Sequence, residues 1–414
     1  MPATVTALPP LGGTVVRRLA VALLTAVAIA SACGGDTTNA GTSTSTTPEP
    51  TITTSTTTAT PTTAAPTTVP ESSTTTTTTT EPATTGEWVV HDADGCVCAD
   101  GSDYQYLTWA GDPDKVVIFL QGGGACFTAE TCEIGGPAQS FSHDIVADLE
   151  AARSGGFRRG LFDFDNPENP VGDWSVIYLP YCTGDVFLGT RAHTYSDEVT
   201  ISHTGNLNAR KGVEHLLANH PGATHVFVTG SSAGAVPAPL VAGLVAEQYP
   251  DADVAALGDG AGGYGANPVV MGFLNAQWGI ADGIPDWSVA DGIDVTTLGA
   301  PDNYILAVNQ FDNLRVARFD DAYDSVQAGF ASLFSLSGGG TVLDVVLESE
   351  AYIEQAGIDL PVFIAAGNDH TTMLAEDFYE LEEGGVRWVD WLTDFITGEP
   401  LDDVKCTDCG SPSS

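Results

Sequence analysis

The chain has 414 residues, with 54 acidic against 13 basic side chains and a formal net charge of −41. That balance excludes a nucleic-acid-binding role, because a phosphate backbone needs a basic face and is repelled by this one. Hydrophobic residues make up 43%, enough for a real core, and no apolar run reaches the ~20 residues of a membrane-spanning helix.

At the amino terminus, Arg17 and Arg18 precede an apolar stretch from Leu19 to Ala32 that is broken only by Thr25 and Ser31. A positive start, a short hydrophobic middle and small residues at the end make residues 1–35 an export signal. The stretch closes on Ala-Ser-Ala-Cys33-Gly-Gly, which resembles the bacterial lipobox, with Ala30 where Leu is usual. Used as such, it makes Cys33 a lipid anchor on a bacterial membrane; ordinary cleavage nearby gives a free secreted product instead. Residues 36–86 are a Thr/Ser/Pro tract without aromatic residues, Cys, Lys or Arg, and with only Ile52 and Val69 as large aliphatics. No core can form there, and the tract reads as an extended stalk.

From Glu87 the composition turns globular, and residues 87–414 carry 50 acidic and 11 basic side chains, a net of −39. Once Cys33 is set aside, seven cysteines remain: Cys96, Cys98, Cys126, Cys132, Cys182, Cys406 and Cys409. In an exported chain they argue for disulfides, and the odd count leaves one thiol over. The close pairs Cys96/Cys98 and Cys406/Cys409 suggest a tie between the ends of the domain. A four-thiolate zinc site fits poorly with the single-residue spacing of the first pair.

Six apolar, β-rich runs follow in order: 115–120, 175–179, 225–229, 253–257, 314–319 and 362–366. Helical patterns at 212–219, 238–248 and 378–395 lie between or after them. Runs apolar on both faces and alternating with helices predict an α/β, hydrolase-like fold, a mostly parallel sheet covered on both sides. In such sheets the chemistry sits at the carboxyl ends of the strands.

Directly after the third run comes Gly230-Ser231-Ser232-Ala233-Gly234, a G-x-S-x-G turn with Ser232 at its centre. Flanking glycines allow the sharp bend, and the following helical start offers the Ala233 amide to a developing oxyanion. Gly122-Gly123-Gly124 after the first run is a second source of backbone donors. Of eight histidines, only His370 follows the last strand, where this fold delivers its base. The acid is sought between the two, where position favours Asp324 and then Asp259, ahead of Asp312 and of Asp369, which adjoins the histidine. The stretch Gly258-Asp259-Gly260-Ala-Gly-Gly263 matches a dinucleotide fingerprint, but it lies mid-chain and reads better as a pocket-lining turn. Acidic residues near 282–303 and 320–324 form no 12-residue calcium loop and are solvated surface.

Five segments together carry a family resemblance: Leu120-Gln-Gly-Gly-Gly-Ala-Cys126, Tyr178-Leu-Pro-Tyr-Cys-Thr-Gly-Asp185, Gly230–Gly234, Ala322-Tyr-Asp-Ser-Val-Gln327 and Asp369-His370. In that order they are similar to the pectin acetylesterase/Notum family of serine carboxylesterases, across residues 95–409. The resemblance implies a triad of Ser232, Asp324 and His370, with Gly123, Gly124 and Ala233 as oxyanion donors and neither metal nor cofactor. Ala125 stands where members often carry an aromatic residue, which bears on the width of the acyl pocket. The expected substrate is an acetylated or short-acylated glycan or a small ester. The strong negative charge disfavours a polyanionic pectin. The alternative is a non-catalytic stalked module that binds glycan or another cell, with a vestigial elbow.

Overall fold

The computed structural model describes residues 86–333 and 340–410, so the export segment, Cys33 and all but the last residue of the stalk lie outside the described residues. Its centre is a nine-stranded sheet. In chain order the strands are β1 (Trp88–Val97), β2 (Asp103–Trp109), β3 (Asp112–Leu120), β4 (Trp174–Leu179), β5 (His225–Ser231), β6 (Asp253–Asp259), β7 (Leu314–Asp321), β8 (Val362–Ala365) and β9 (Val404–Lys405). Across the sheet they run β1-β2-β4-β3-β5-β6-β7-β8-β9. From β4 to β9 every neighbouring pair is parallel, and only β1 and β2 enter antiparallel.

All six sequence-predicted runs are strands of this sheet. Val116–Leu120 is wholly buried, as expected for a β-branched and aromatic run covered on both faces. Among the described residues, eight helices of nine or more residues accompany the sheet: α1 (Val146–Ser154), α2 (Gly205–Asn219), α3 (Ala238–Gln248), α4 (Pro268–Trp278), α5 (Ala300–Gln310), α6 (Ser325–Leu333), α7 (Val342–Gln355) and α8 (Trp388–Thr397). The two faces are filled by alternate side chains. Ile118 and Leu179 point to one face, where a side chain at Gly212 of α2 would collide with Leu179 and touch Ile118. Phe119 turns to the other and packs on Phe162, and on that same face Phe227, in register with Val117, meets Phe395 of α8. No helix among the described residues is long and apolar enough to cross a membrane.

Two expectations are corrected. The helix read at 378–395 starts only at Trp388, because Gly384 and Gly385 take φ of 61° and 89° and turn a two-residue ribbon (Glu382–Glu383 with Val386–Arg387) ahead of it. The disulfides are Cys98–Cys182, Cys126–Cys132 and Cys406–Cys409, with Cys96 a buried free thiol. No tie joins the ends of the domain. β1 and β9 occupy opposite edges of the nine-stranded sheet, roughly 38 Å apart at about 4.8 Å per strand, and no disulfide spans that.

Candidate active site

Ser232 sits where β5 ends, at φ +55°, in a short 3₁₀ turn (Ser232–Gly234) that leads through Ala235–Pro237 into α3. For a residue other than glycine this left-handed conformation costs about 1–3 kcal/mol and persists only where the surroundings impose it. Here they do so through two glycines. A side chain at Gly230 would strike the carbonyls of Gly234 and Leu120, and one at Gly234 would strike Leu120 O. The elbow is therefore pressed against the end of β3, which carries the glycine loop. A Cβ on Gly122 would lie 2.9 Å from Ser232 Cβ.

The loop is stitched to residues 140–142: Ser142 N donates to Gly123 O at 2.8 Å and Ala125 N to Ser140 O at 3.1 Å. This pairing turns the Gly124 amide away from residues 140–142, and among the described residues neither Gly123 nor Gly124 donates its N–H to a protein acceptor. Ala233 follows Ser232 at the start of the 3₁₀ turn, where first amides lack intrahelical acceptors. Gly124, Ser232 and Ala233 line the same cavity.

His370 follows β8 and is joined to Asp324, which follows β7: His370 Nδ1 lies 2.6 Å from Asp324 Oδ2. Asp324 is fully buried, its Oδ1 accepting from the amides of Val326 and Gln327 and its Oδ2 from Gln327 Nε2, each at 2.9 Å. Gln327 is held in turn by Gly263 N at 2.7 Å and by Asp320, which pairs with buried Arg318. The imidazole is thus oriented through Nδ1, and its Nε2 is buried without a partner. No hydrogen bond joins Ser232 to His370 in this structure; in unliganded enzymes such bonds are often long and tighten only on substrate.

The other acidic candidates do not reach the imidazole. Asp312 and Asp369 are exposed. Asp259 is buried, and burial pushes its carboxyl up to about 6 against the hydrogen bonds it accepts from Ser231 Oγ, Thr372 N and Met373 N. A further acid, Asp321, is pushed to about 8 by burial and by its neighbours Asp324, Asp259, Asp369 and Asp320.

Ser232 opens into a cavity of about 90 Å³ whose wall is apolar almost throughout. Ala125, Leu188, Val270, Leu274, Trp278 and Phe330 form much of it. Sequence reasoning missed these walls, apart from Ala125. Val186, which also lines it, and Phe187 take φ of 50° and 56°. Buried Asp185 holds that bend by accepting from Phe187 N, Gly205 N and Thr183 Oγ1. The Asp at the end of the quoted Tyr178–Asp185 segment was the available signal. Cys126, Cys132 and His203 lie close enough together to hold a metal ion. The two sulfurs, however, are bonded to each other, and both ring nitrogens of His203 are engaged, with Thr183 O and Tyr195 Oη.

A family model described as pectinacetylesterase matches residues 78–271, which include the glycine loop and the elbow but neither Asp324 nor His370. Human palmitoleoyl-protein carboxylesterase NOTUM is 30% identical over 174 residues, 39% of this chain and 33% of that protein. Pectin acetylesterase 4 of Arabidopsis thaliana is 26% identical over 179 residues, 40% of this chain and 41% of that protein. The chain thus spans about a third to two-fifths of the length of these relatives. The structure of the Wnt deacylase Notum from Drosophila superposes with a TM-score of 0.53 at 16% identity, covering 75% of this chain and 93% of that one, a likeness of fold.

Proposed function

We propose that this chain is a serine carboxylic-ester hydrolase of the pectin acetylesterase/Notum family acting on an aliphatic acyl ester, with Ser232, His370 and Asp324 as its triad. The observation that carries this reading is the strained Ser232 at the mouth of an apolar cavity, alongside a histidine held by a buried carboxylate on Nδ1 and unpartnered on Nε2. His370 Nε2 takes the proton from Ser232 Oγ as the oxygen attacks the ester carbonyl. Asp324 fixes the ring and stabilises its cation. The amides of Gly123, Gly124 and Ala233 receive the tetrahedral oxyanion. Collapse expels the alcohol, which takes the proton from His370, and leaves the acyl group on Ser232. His370 then activates water, which releases the acid and restores the serine.

The wall chemistry extends the expected acetyl or short-acyl substrate toward longer aliphatic chains, since each methylene buried contributes about 0.8 kcal/mol. The carrier is a neutral glycan or small alcohol rather than a polyanion. Of the 11 cations in the domain, Arg158, Arg191, Lys211, Arg387, Lys115 and Lys405 already face surface acids. Export and lipid anchoring through Cys33 complete the reading, placing the domain on the outer face of a bacterial membrane.

A fluorophosphonate probe is expected to label Ser232 and to leave Ser232→Ala unlabelled, with ester hydrolysis down by about 10³-fold or more in the variant. Near-full activity in folded Ser232→Ala protein would sink the assignment.

A further inference from the structure

Ser232 and His370 arrive from different strands, and the contacts within the triad do not set the distance between them. Asp324 fixes how the imidazole is turned, through Nδ1, but not how far Nε2 lies from the serine. The glycine-rich stretch at 258–263 runs beside the segments that carry both. Asp259 ends β6 in register with Ser231 at the end of β5. Its fully buried carboxylate accepts Ser231 Oγ at 2.7 Å, Met373 N at 3.0 Å and Thr372 N at 2.9 and 3.2 Å. Ser231 immediately precedes the candidate nucleophile, and Thr372 and Met373 close the loop that carries His370.

That loop needs holding. Thr371, between the histidine and the clamped amides, takes φ +70°, a genuine outlier for a β-branched residue. Gly260 forms the floor: a Cβ there would lie 2.9 Å from Thr371 Cγ2 and 3.5 Å from His370 Nδ1 and Cε1. We propose that Asp259 is a positioning residue, a clamp that ties the His370 loop to the nucleophile strand and so sets the spacing between Ser232 Oγ and His370 Nε2. A carboxylate suits the task because its two oxygens accept the hydroxyl and both amides together. An Asn would present an NH₂ to one of those donors. The inference rests on the serine-hydrolase reading of the site.

The test compares wild type, Asp259→Asn and Ser231→Ala, with Ser232→Ala as blank. Active sites are titrated to completion with a fluorophosphonate, and kcat and KM are measured on p-nitrophenyl butyrate. A misplacement near 1 Å costs about 10²-fold, so kcat per titrated site is expected to fall by about that factor in Asp259→Asn while KM stays within about threefold. Ser231→Ala removes only the hydroxyl, leaves the loop amides paired, and is expected to lose about tenfold in kcat. A purely structural role would lower the fraction of titratable sites and leave kcat per site at the wild-type value. That result in either folded variant, or a loss confined to KM, overturns the clamp. A wild type that neither hydrolyses the ester nor takes the probe brings down the serine-hydrolase reading and the clamp with it.

Discussion

Ala125 offers a direct way to test what the cavity does, because it is buried in the wall beside Gly124 and its methyl group leaves the space that an acyl chain would fill. Of the wall residues, only Ser232, Tyr264 and Trp278 carry a polar side-chain group, and the Trp278 N–H is already donated to Cys126 O, so a methylene entering the cavity leaves water for an apolar surface. At about 0.8 kcal/mol each, this is roughly a fourfold gain in kcat/KM per methylene. From acetate to hexanoate the chain gains four methylenes, about 3 kcal/mol and about 200-fold. Ala125→Phe drives a ring into that space. It is expected to cost hexanoate about 10²-fold while acetate, which needs only the mouth, stays within about threefold. The assay is kcat/KM for p-nitrophenyl acetate, butyrate and hexanoate on both proteins, with a thermal melt to establish that the variant is folded. A flat or falling series in the wild type, or an equal loss on all three esters in the variant, refutes the assignment of this cavity as the acyl site.

Three further outcomes follow from charge and sequence. Asp321, held at about 8, keeps in the folded protein a proton that the unfolded chain loses near 4, so its contribution is complete at low pH and is lost as pH rises through 8. His203 and His215, lowered by burial to about 4, act only below pH 6.5. Between pH 6.5 and 8 the wild type is therefore expected to lose about 2 kcal/mol of stability that Asp321→Asn does not lose, and parallel denaturation curves for the two proteins at both pH values would refute this. Acetate release from acetylated xylan is expected to exceed that from acetylated pectin at low salt and to approach it at high salt. Faster release from pectin at low salt would mean that local geometry outweighs the overall field. Cys33→Ala is expected to move the protein from the membrane fraction to the medium, and unchanged membrane association counts against the lipid anchor.

The parallel sheet was legible because strands buried on both faces have a compositional signature that needs no partner to be recognised, as in Val116–Leu120 and Val226–Thr229. β1 and β2 were not, since as an antiparallel pair they interleave exposed residues such as Asp92, Asp94 and Asp103 with buried ones. Ser232 was singled out by the G-x-S-x-G turn after a strand, and His370 by its place after the last one. Order also ranked Asp324 above Asp259, and the geometry separates them by placing only Asp324 on the imidazole. The use of Asp259 was hidden because its carboxylate meets Ser231, 28 residues before it, and Thr372, 113 residues after it. The disulfides were hidden for a similar reason. Pairing Cys98 with Cys182 requires knowing that β4 lies beside β2. The cavity walls on α4 carry no sequence pattern that distinguishes lining from ordinary core.

The antiparallel start of the sheet has an orientational consequence. Trp88 pairs with Trp109, which pairs with Val176, so the chain joins the domain at an outer edge, near the amino-terminal ends of the parallel strands. Ser232, Asp324 and His370 all follow the opposite ends. The chain ahead of Trp88 therefore enters the domain on the side away from the serine.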